Sequence, residues 1–176
     1  MKLAVPYDRY GGTKSPILSN MGTSTYKGLV ASGFKPQQPL QVRKTIVTQE
    51  LGKKYTLDIT TESPSVVFQV DGEIIKTGRK CDKLILVNTK SSPSEEWAQI
   101  FVELKGHDAI HGIEQLIATA KNNIFAAPSN KMRKARLVAT SCPSNRANPI
   151  VEKLKREFSK MKIDYKTLKP GQKDRL

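Results

Sequence analysis

The chain has 176 residues, 38% of them hydrophobic and 26% charged, enough for one soluble core and too few for several. Its formal net charge is +14, and residues 129–176 hold 14 Lys and Arg against 4 Asp and Glu; so concentrated a positive field selects polyanions, nucleic acid ahead of anionic membrane surfaces and acidic proteins. No apolar run reaches membrane-span length, "MKLAVPYDRY" turns polar too soon for a secretory leader, and Cys81 and Cys142 are too few for a disulfide framework, so a cytoplasmic protein with free thiols and no membrane partner is expected.

Residues 1–40 are rich in Gly, Pro, Ser and Thr and read as an irregular arm with room for one short helix near "TYKGLVAS". "GGTKS" within it lacks the spacing, the preceding strand and the uninterrupted helix of a phosphate-binding loop. Residues 41–176 form the expected domain. "VRKTIVTQEL" fits a helix, or a hairpin of "KTIVTQE" and "KYTLDIT" turning at "LGKK", and periodicity leaves both open. "SVVFQVDGEIIKTG" predicts a tight hairpin at Asp71-Gly72. Strands are expected at "DKLILVN" and, after a polar loop, at "WAQIFVELK".

After Gly106 the period changes. Ile110, Ile113, Leu116, Ile117 and Ala120 share one helical face behind the cap Asp108. "KARLVATS" reads as a buried strand, "NPIVEKLKREFSKMK" as a basic amphipathic helix with Pro149 in its first turn, and "IDYKTLK" as a last strand. The order β-β-β-α-β-α-β implies an α/β fold with a mixed sheet.

Alternation along "IFVELK" puts Ile100, Val102 and Leu104 on one face, expected to pack under the following helix, and Phe101, Glu103 and Lys105 on the other. Glu103 and Lys105 then stand about 6.6 Å apart, two residues' rise. Asp82 opens the preceding strand, a probable neighbour in space by chain order. Two carboxylates and a backbone carbonyl, here that of Leu104, make a hard oxygen site suited to Mg²⁺ or Mn²⁺. Such an ion polarises a phosphodiester and activates water, and Lys105 is suited to orient that water and neutralise developing charge. The acid-x-Lys spelling recurs at Asp164-Tyr165-Lys166, so the reading rests on context. A bland alternative makes Asp82 a turn cap and Glu103–Lys105 a solvated pair.

With those strands and the helix behind them, the sequence resembles the PD-(D/E)xK nuclease superfamily, which includes many restriction enzymes. "CDKLILV" is similar to its Asp strand, "IFVELKG" to its acid-x-Lys strand, and "AIHGIEQLIATA" to the helix that often brings a Gln near the site. The resemblance implies a restriction-endonuclease-like αβββαβ core, a central mixed sheet flanked by helices, with Asp82, Glu103 and Lys105 as metal and catalytic residues and Gln115 as an auxiliary group. It covers residues 65–140. Cys81 stands where the motif has Pro, the first core helix is not assigned, and Glu50 is a candidate for the acidic residue some members carry there.

His107 and His111 have the spacing of a zinc pair on a helix, without an evident third ligand. Lys153, Lys155, Arg156 and Lys160 on the last helix, extended by Lys131, Arg133, Lys134 and Arg136, form the expected contact surface for nucleic-acid backbone. The implied function is a Mg²⁺-dependent endonuclease acting on DNA ahead of RNA, with a homodimer suited to cutting both strands. The alternatives are a non-catalytic nucleic-acid binder of the same fold, and a protein-interaction module within a larger complex.

Overall fold

Residues 24–91, 93–142 and 148–176 are described by the structure, a computed structural model. The chain runs through helix α1 (Thr25–Ala31), strands β1 (Gln38–Glu50), β2 (Lys53–Gln69), β3 (Lys83–Lys90) and β4 (Glu96–Leu104), helix α2 (Ala109–Ala120), strand β5 (Asn130–Val138), helix α3 (Pro149–Lys160), and strands β6 (Asp164–Leu168) and β7 (Lys173–Arg175). These strands form one seven-stranded sheet in the order β1-β2-β3-β4-β5-β6, with β7 paired to β2. The first four strands pair antiparallel, β4–β5 and β5–β6 parallel. The expected α/β architecture with a central mixed sheet and flanking helices is present. From β2 to β5 the order is β-β-β-α-β, with α1 ahead of it beyond β1.

The ambiguous stretch before Thr61 is a hairpin. Leu51 and Gly52 form its two-residue turn with φ of 45° and 75°, the sign that matches the twist of the strands. Ile46 and Thr48 are buried while Val47 is exposed, an alternation of period two that a helix would not produce.

The second hairpin, expected at Asp71-Gly72, does not form. β2 ends at Gln69, and the amides of Ile74 and Ile75 both donate to the Val70 carbonyl at 3.1 and 3.0 Å, closing a compact turn. The reason is topological: β1 occupies one edge of this part of β2 and β3 the other, with Val66 opposite Leu86 and Phe68 opposite Leu84. A strand at Glu73–Lys76 would have no edge to join.

Two apolar layers enclose the sheet. On the helix side, Phe68, Leu84, Phe101 and Leu137 pack with Leu29 of α1, Ile113 and Leu116 of α2, and Val151 and Phe158 of α3. On the other side, Ile85, Ile100, Val102 and Leu104 pack with Ile46, Tyr55 and Leu57. The latter come from the distal half of the β1–β2 hairpin. A register shift in β1 between Arg43 and Thr45 bends that half over the sheet, and β7 pairs there with Thr56, Leu57 and Asp58.

Ile100, Val102 and Leu104 therefore lie away from the helices, and α2 covers the face that carries Glu103 and Lys105. This reverses the packing expected from the sequence. Gly112 of α2 explains it: a Cβ there would stand 2.7 Å from Leu137 Cδ1, 2.9 Å from Lys105 Cγ and 3.4 Å from Glu103 Cγ. Of the expected arm, residues 24–40 carry α1, whose Leu29 is fully buried, and the first residues of β1; "GGTKS" lies outside the described residues. Among the described residues, no helix is long and apolar enough to cross a membrane.

Candidate active site

β3 and β4 pair antiparallel with Lys83 opposite Val102, which brings the residue before β3 beside the end of β4. Two hydrogen bonds close the junction in opposite directions. The Asp82 amide donates to Glu103 Oε2 at 3.2 Å, and the Leu104 amide donates to Asp82 Oδ2 at 2.7 Å. On its other side the Asp82 carbonyl accepts from the Val70 amide at 2.9 Å. Asp82 is thus tied to β2 and β4 at once, and the two carboxylates meet on rigid backbone.

Lys105 Nζ lies 3.0 Å from Glu103 Oε1. That oxygen is buried, and the ammonium meets it as an ion pair rather than through a well-aligned hydrogen bond. Burial, and then the charge of Asp82, pushes Glu103 up to about 7, against the opposing pull of Lys105. Burial also raises Asp82; the Leu104 amide counteracts this, while Glu50 adds to it. Burial thus raises both carboxyls although Lys105 lies beside them.

The donor set suits a small hard cation: the carboxylates of Asp82 and Glu103 at adjoining strand ends, one with an oxygen buried against Lys105, and the Leu104 carbonyl one peptide away. Among the described residues no three His, Cys, Asp or Glu side chains cluster as metal ligands. Any ion here would complete its shell with water and substrate oxygens, a habit of Mg²⁺.

α2 holds the approach to the pair through one face. Gly112 admits the close contact, Gln115 Nε2 donates to the Lys80 carbonyl at 2.7 Å, and Thr119 Oγ1 accepts from the Cys81 amide at 2.7 Å. Gln115 touches the chain two residues ahead of Asp82, so its observed contact is that of a positioning group. Its Oε1 is buried without a partner.

Sequence reasoning missed Lys83. It is 1% exposed on the hairpin side of β3, with its ammonium 2.6 Å from Glu50 Oε2 and hydrogen-bonded to Gln69 Oε1. The signal was a lysine opening a run of apolar residues. Glu50 ends β1 and is not on a helix, and its contact is with Lys83. Gly112 was missed too, although a glycine inside a strong helical pattern calls for a packing reason.

The basic surface needs correction. Lys153, Arg156 and Lys160 of α3 and Lys131 of β5 are exposed, with Arg156 and Lys160 also paired to Glu152 and Glu157 at 2.6 and 2.7 Å. Lys155 lies over the Tyr165 ring at 5.9 Å. Arg136, however, is 2% exposed and pairs with Asp174 at 2.5 Å and Asp164 at 2.6 Å. It cannot serve as a surface contact. Arg133 folds over Phe101 and donates to Gln99 Oε1, and Lys134 donates to the Arg175 carbonyl. Arg133, Lys134 and Arg136 turn toward the fold because α2, β4, β6 and β7 supply acceptors there.

A cleft of about 610 Å³ lies against this Arg136 cluster, lined by Lys134, Lys166 and Lys173 among others, and does not include the acidic pair. His107 precedes the cap of α2 and shares no helical face with His111. Asp164 of the second acid-x-Lys triplet is taken up by Arg136.

No protein-family profile matches the chain, and no curated protein is significantly similar to it. Among solved structures it is similar to SfsA from Pyrococcus furiosus in complex with Ca²⁺, at 12% identity over 77% of this chain and 90% of that chain, with a TM-score of 0.26. A likeness of that size carries no argument.

Proposed function

We propose that this protein is a divalent-metal-dependent endonuclease of the PD-(D/E)xK type, acting on DNA ahead of RNA. The observation that carries the reading is the junction of two adjacent strand ends, where the Asp82 amide donates to Glu103 and the Leu104 amide to Asp82, with Lys105 3.0 Å from the buried Glu103 Oε1. Asp82, Glu103 and the Leu104 carbonyl would hold Mg²⁺ or Mn²⁺. Bound there, the cation supplies charge to polarise a phosphodiester and activate water. Lys105, a quarter exposed, reaches from the pair toward solvent and is suited to orient the nucleophile and offset charge on the phosphate.

Gln115 acts through the backbone ahead of Asp82 and not on substrate. Lys153, Arg156 and Lys160, with Lys131, supply non-specific backbone contacts whose strength falls with salt. Cleavage of both strands requires two sites, which a homodimer provides. The two unbridged cysteines, Cys81 and Cys142, suit a reducing cytoplasmic setting. A second reading, a nucleic-acid binder without catalysis, draws on the lack, among the described residues, of a cluster of three metal-ligating side chains; a protein-interaction module stands behind it.

Plasmid and single-stranded DNA incubated with Mg²⁺ or Mn²⁺ test the proposal. Lys105→Ala is expected to lower cleavage about a hundredfold or more while DNA binding persists. Equal cleavage by both proteins rejects the assignment, and binding without cleavage by the native chain selects the second reading.

A further inference from the structure

The tip of the β1–β2 hairpin carries a residue that nothing inside the fold explains. Leu51 is 91% exposed, more than any other large hydrophobic among the described residues. It also adopts φ of 45°, a conformation favoured by Gly, Asn and Asp and strained for a leucine. Local physics disfavours this side chain twice, by exposure and by backbone, and no apolar packing among the described residues compensates.

The tip is held beside the acidic pair. Glu50, the residue before Leu51, is anchored at 2.6 Å to Lys83, which follows Asp82. Lys53, the residue after Gly52, reaches over Gly106: a Cβ on that glycine would lie 3.5 Å from Lys53 Cε and 3.7 Å from its Nζ. Gly106 follows Lys105. One ion pair and one close approach therefore set the hairpin tip against the residues that follow Asp82 and Lys105, the groups assigned to phosphodiester chemistry. Lys53 and Lys54 follow Leu51 after Gly52, suited to phosphate contacts beside an apolar group that enters a base step.

We infer that Leu51 is a wedge which inserts between base pairs of duplex DNA and unstacks the step next to the scissile phosphate. The inference rests on the nucleic-acid reading above, but not on catalysis. A strained leucine is suited to the task because the tight turn projects its side chain beyond the strands, where it can enter the stack. Kinking the duplex there would bring the backbone toward Asp82 and Glu103, whose neighbours in the chain hold the tip.

The test is fluorescence of 2-aminopurine, placed in turn at each position of a short duplex and read on binding of the full chain in Ca²⁺. The native protein is expected to raise the signal roughly severalfold at one or two adjacent positions. Leu51→Asn, which suits the turn, should fold with an unchanged or higher Tm and lose that rise, and the ratio of duplex to single-strand cleavage should fall about tenfold. Leu51→Phe should keep the rise. Equal fluorescence with Leu51→Asn overturns the wedge and leaves the nuclease site standing. A Leu51-dependent rise without Mg²⁺-dependent cleavage keeps the wedge and removes the nuclease. Absence of any duplex binding overturns both.

Discussion

Two buried charge clusters in this molecule use nearly the same parts and are balanced in opposite ways. Around Arg136, the carboxylates of Asp164 and Asp174 meet a guanidinium that is 2% exposed, and Tyr55 donates a further hydrogen bond to Asp174 at 2.8 Å. Burial pushes Asp174 up, but Arg136 and Tyr55 outweigh it and hold the carboxyl below its usual range. Around Asp82 and Glu103, two carboxylates meet one ammonium, and both are raised, Glu103 to about 7. The first cluster answers both carboxylates with direct hydrogen bonds from one guanidinium and ties β5, β6 and β7 together. In the second, burial outweighs Lys105 at both carboxyls, and a bound divalent cation would reverse that balance. At Asp82, Glu103 and Asp174 the direction of the shift follows from whether burial or the neighbouring cation dominates.

The comparison breaks first at Arg136. Arg136→Ala leaves Asp174 buried without its cation, and urea denaturation should record a loss of about 3–5 kcal/mol. A loss within the range of a surface substitution would mean that the cluster is not held together as described.

The opposite sign is expected at Glu103. Its folded value of about 7 exceeds the ordinary 4.5, so between those limits the folded chain holds a proton that the unfolded chain has released. Stability of the metal-free protein should therefore fall as pH rises through that window, with the penalty complete above about pH 7 and worth at most about 3 kcal/mol. Glu103→Gln should flatten the profile and raise stability in alkaline buffer, where Asp174 works in the reverse sense and adds stability. A Gln variant that is less stable there would reverse the contrast.

Smaller effects sharpen the geometry. Gly112→Ala gains about 1 kcal/mol of helix propensity but forces Leu137 and Lys105 aside, and a net loss of about 1–2 kcal/mol is expected by thermal or urea unfolding. Unchanged stability would indicate that α2 is not seated so closely on the acidic pair. Leu51→Asn should gain up to about 1 kcal/mol by relieving the left-handed leucine; a measured loss would mean that the leucine packs on something in the free protein.

The convergence of Asp82, Glu103 and Lys105 was legible because β3 and β4 are consecutive, strongly apolar and joined by a short polar loop, so pairing in sequence order was the simplest outcome. α2 was legible from its period and from Asp108, which accepts the His111 amide. The face α2 covers was not, because a single glycine decides it and periodicity does not register close approach. Asp71-Gly72 misled because local turn chemistry cannot report that both edges of β2 are filled by strands from elsewhere. Arg136 misled for the same nonlocal reason. Its partner Asp174 sits on a three-residue strand 38 positions away, too short to announce itself by alternation.

The account stands most directly on divalent-cation binding by the full chain, measured by titration calorimetry with Mn²⁺ at about pH 8 and again near pH 6, beside Glu103→Gln. One site per chain is expected, weaker and accompanied by proton release at the lower pH, and abolished or greatly weakened by the substitution. Binding of equal strength in the variant, or no binding to the native protein at either pH, would contradict the claim that Asp82 and Glu103 are arranged to hold a cation.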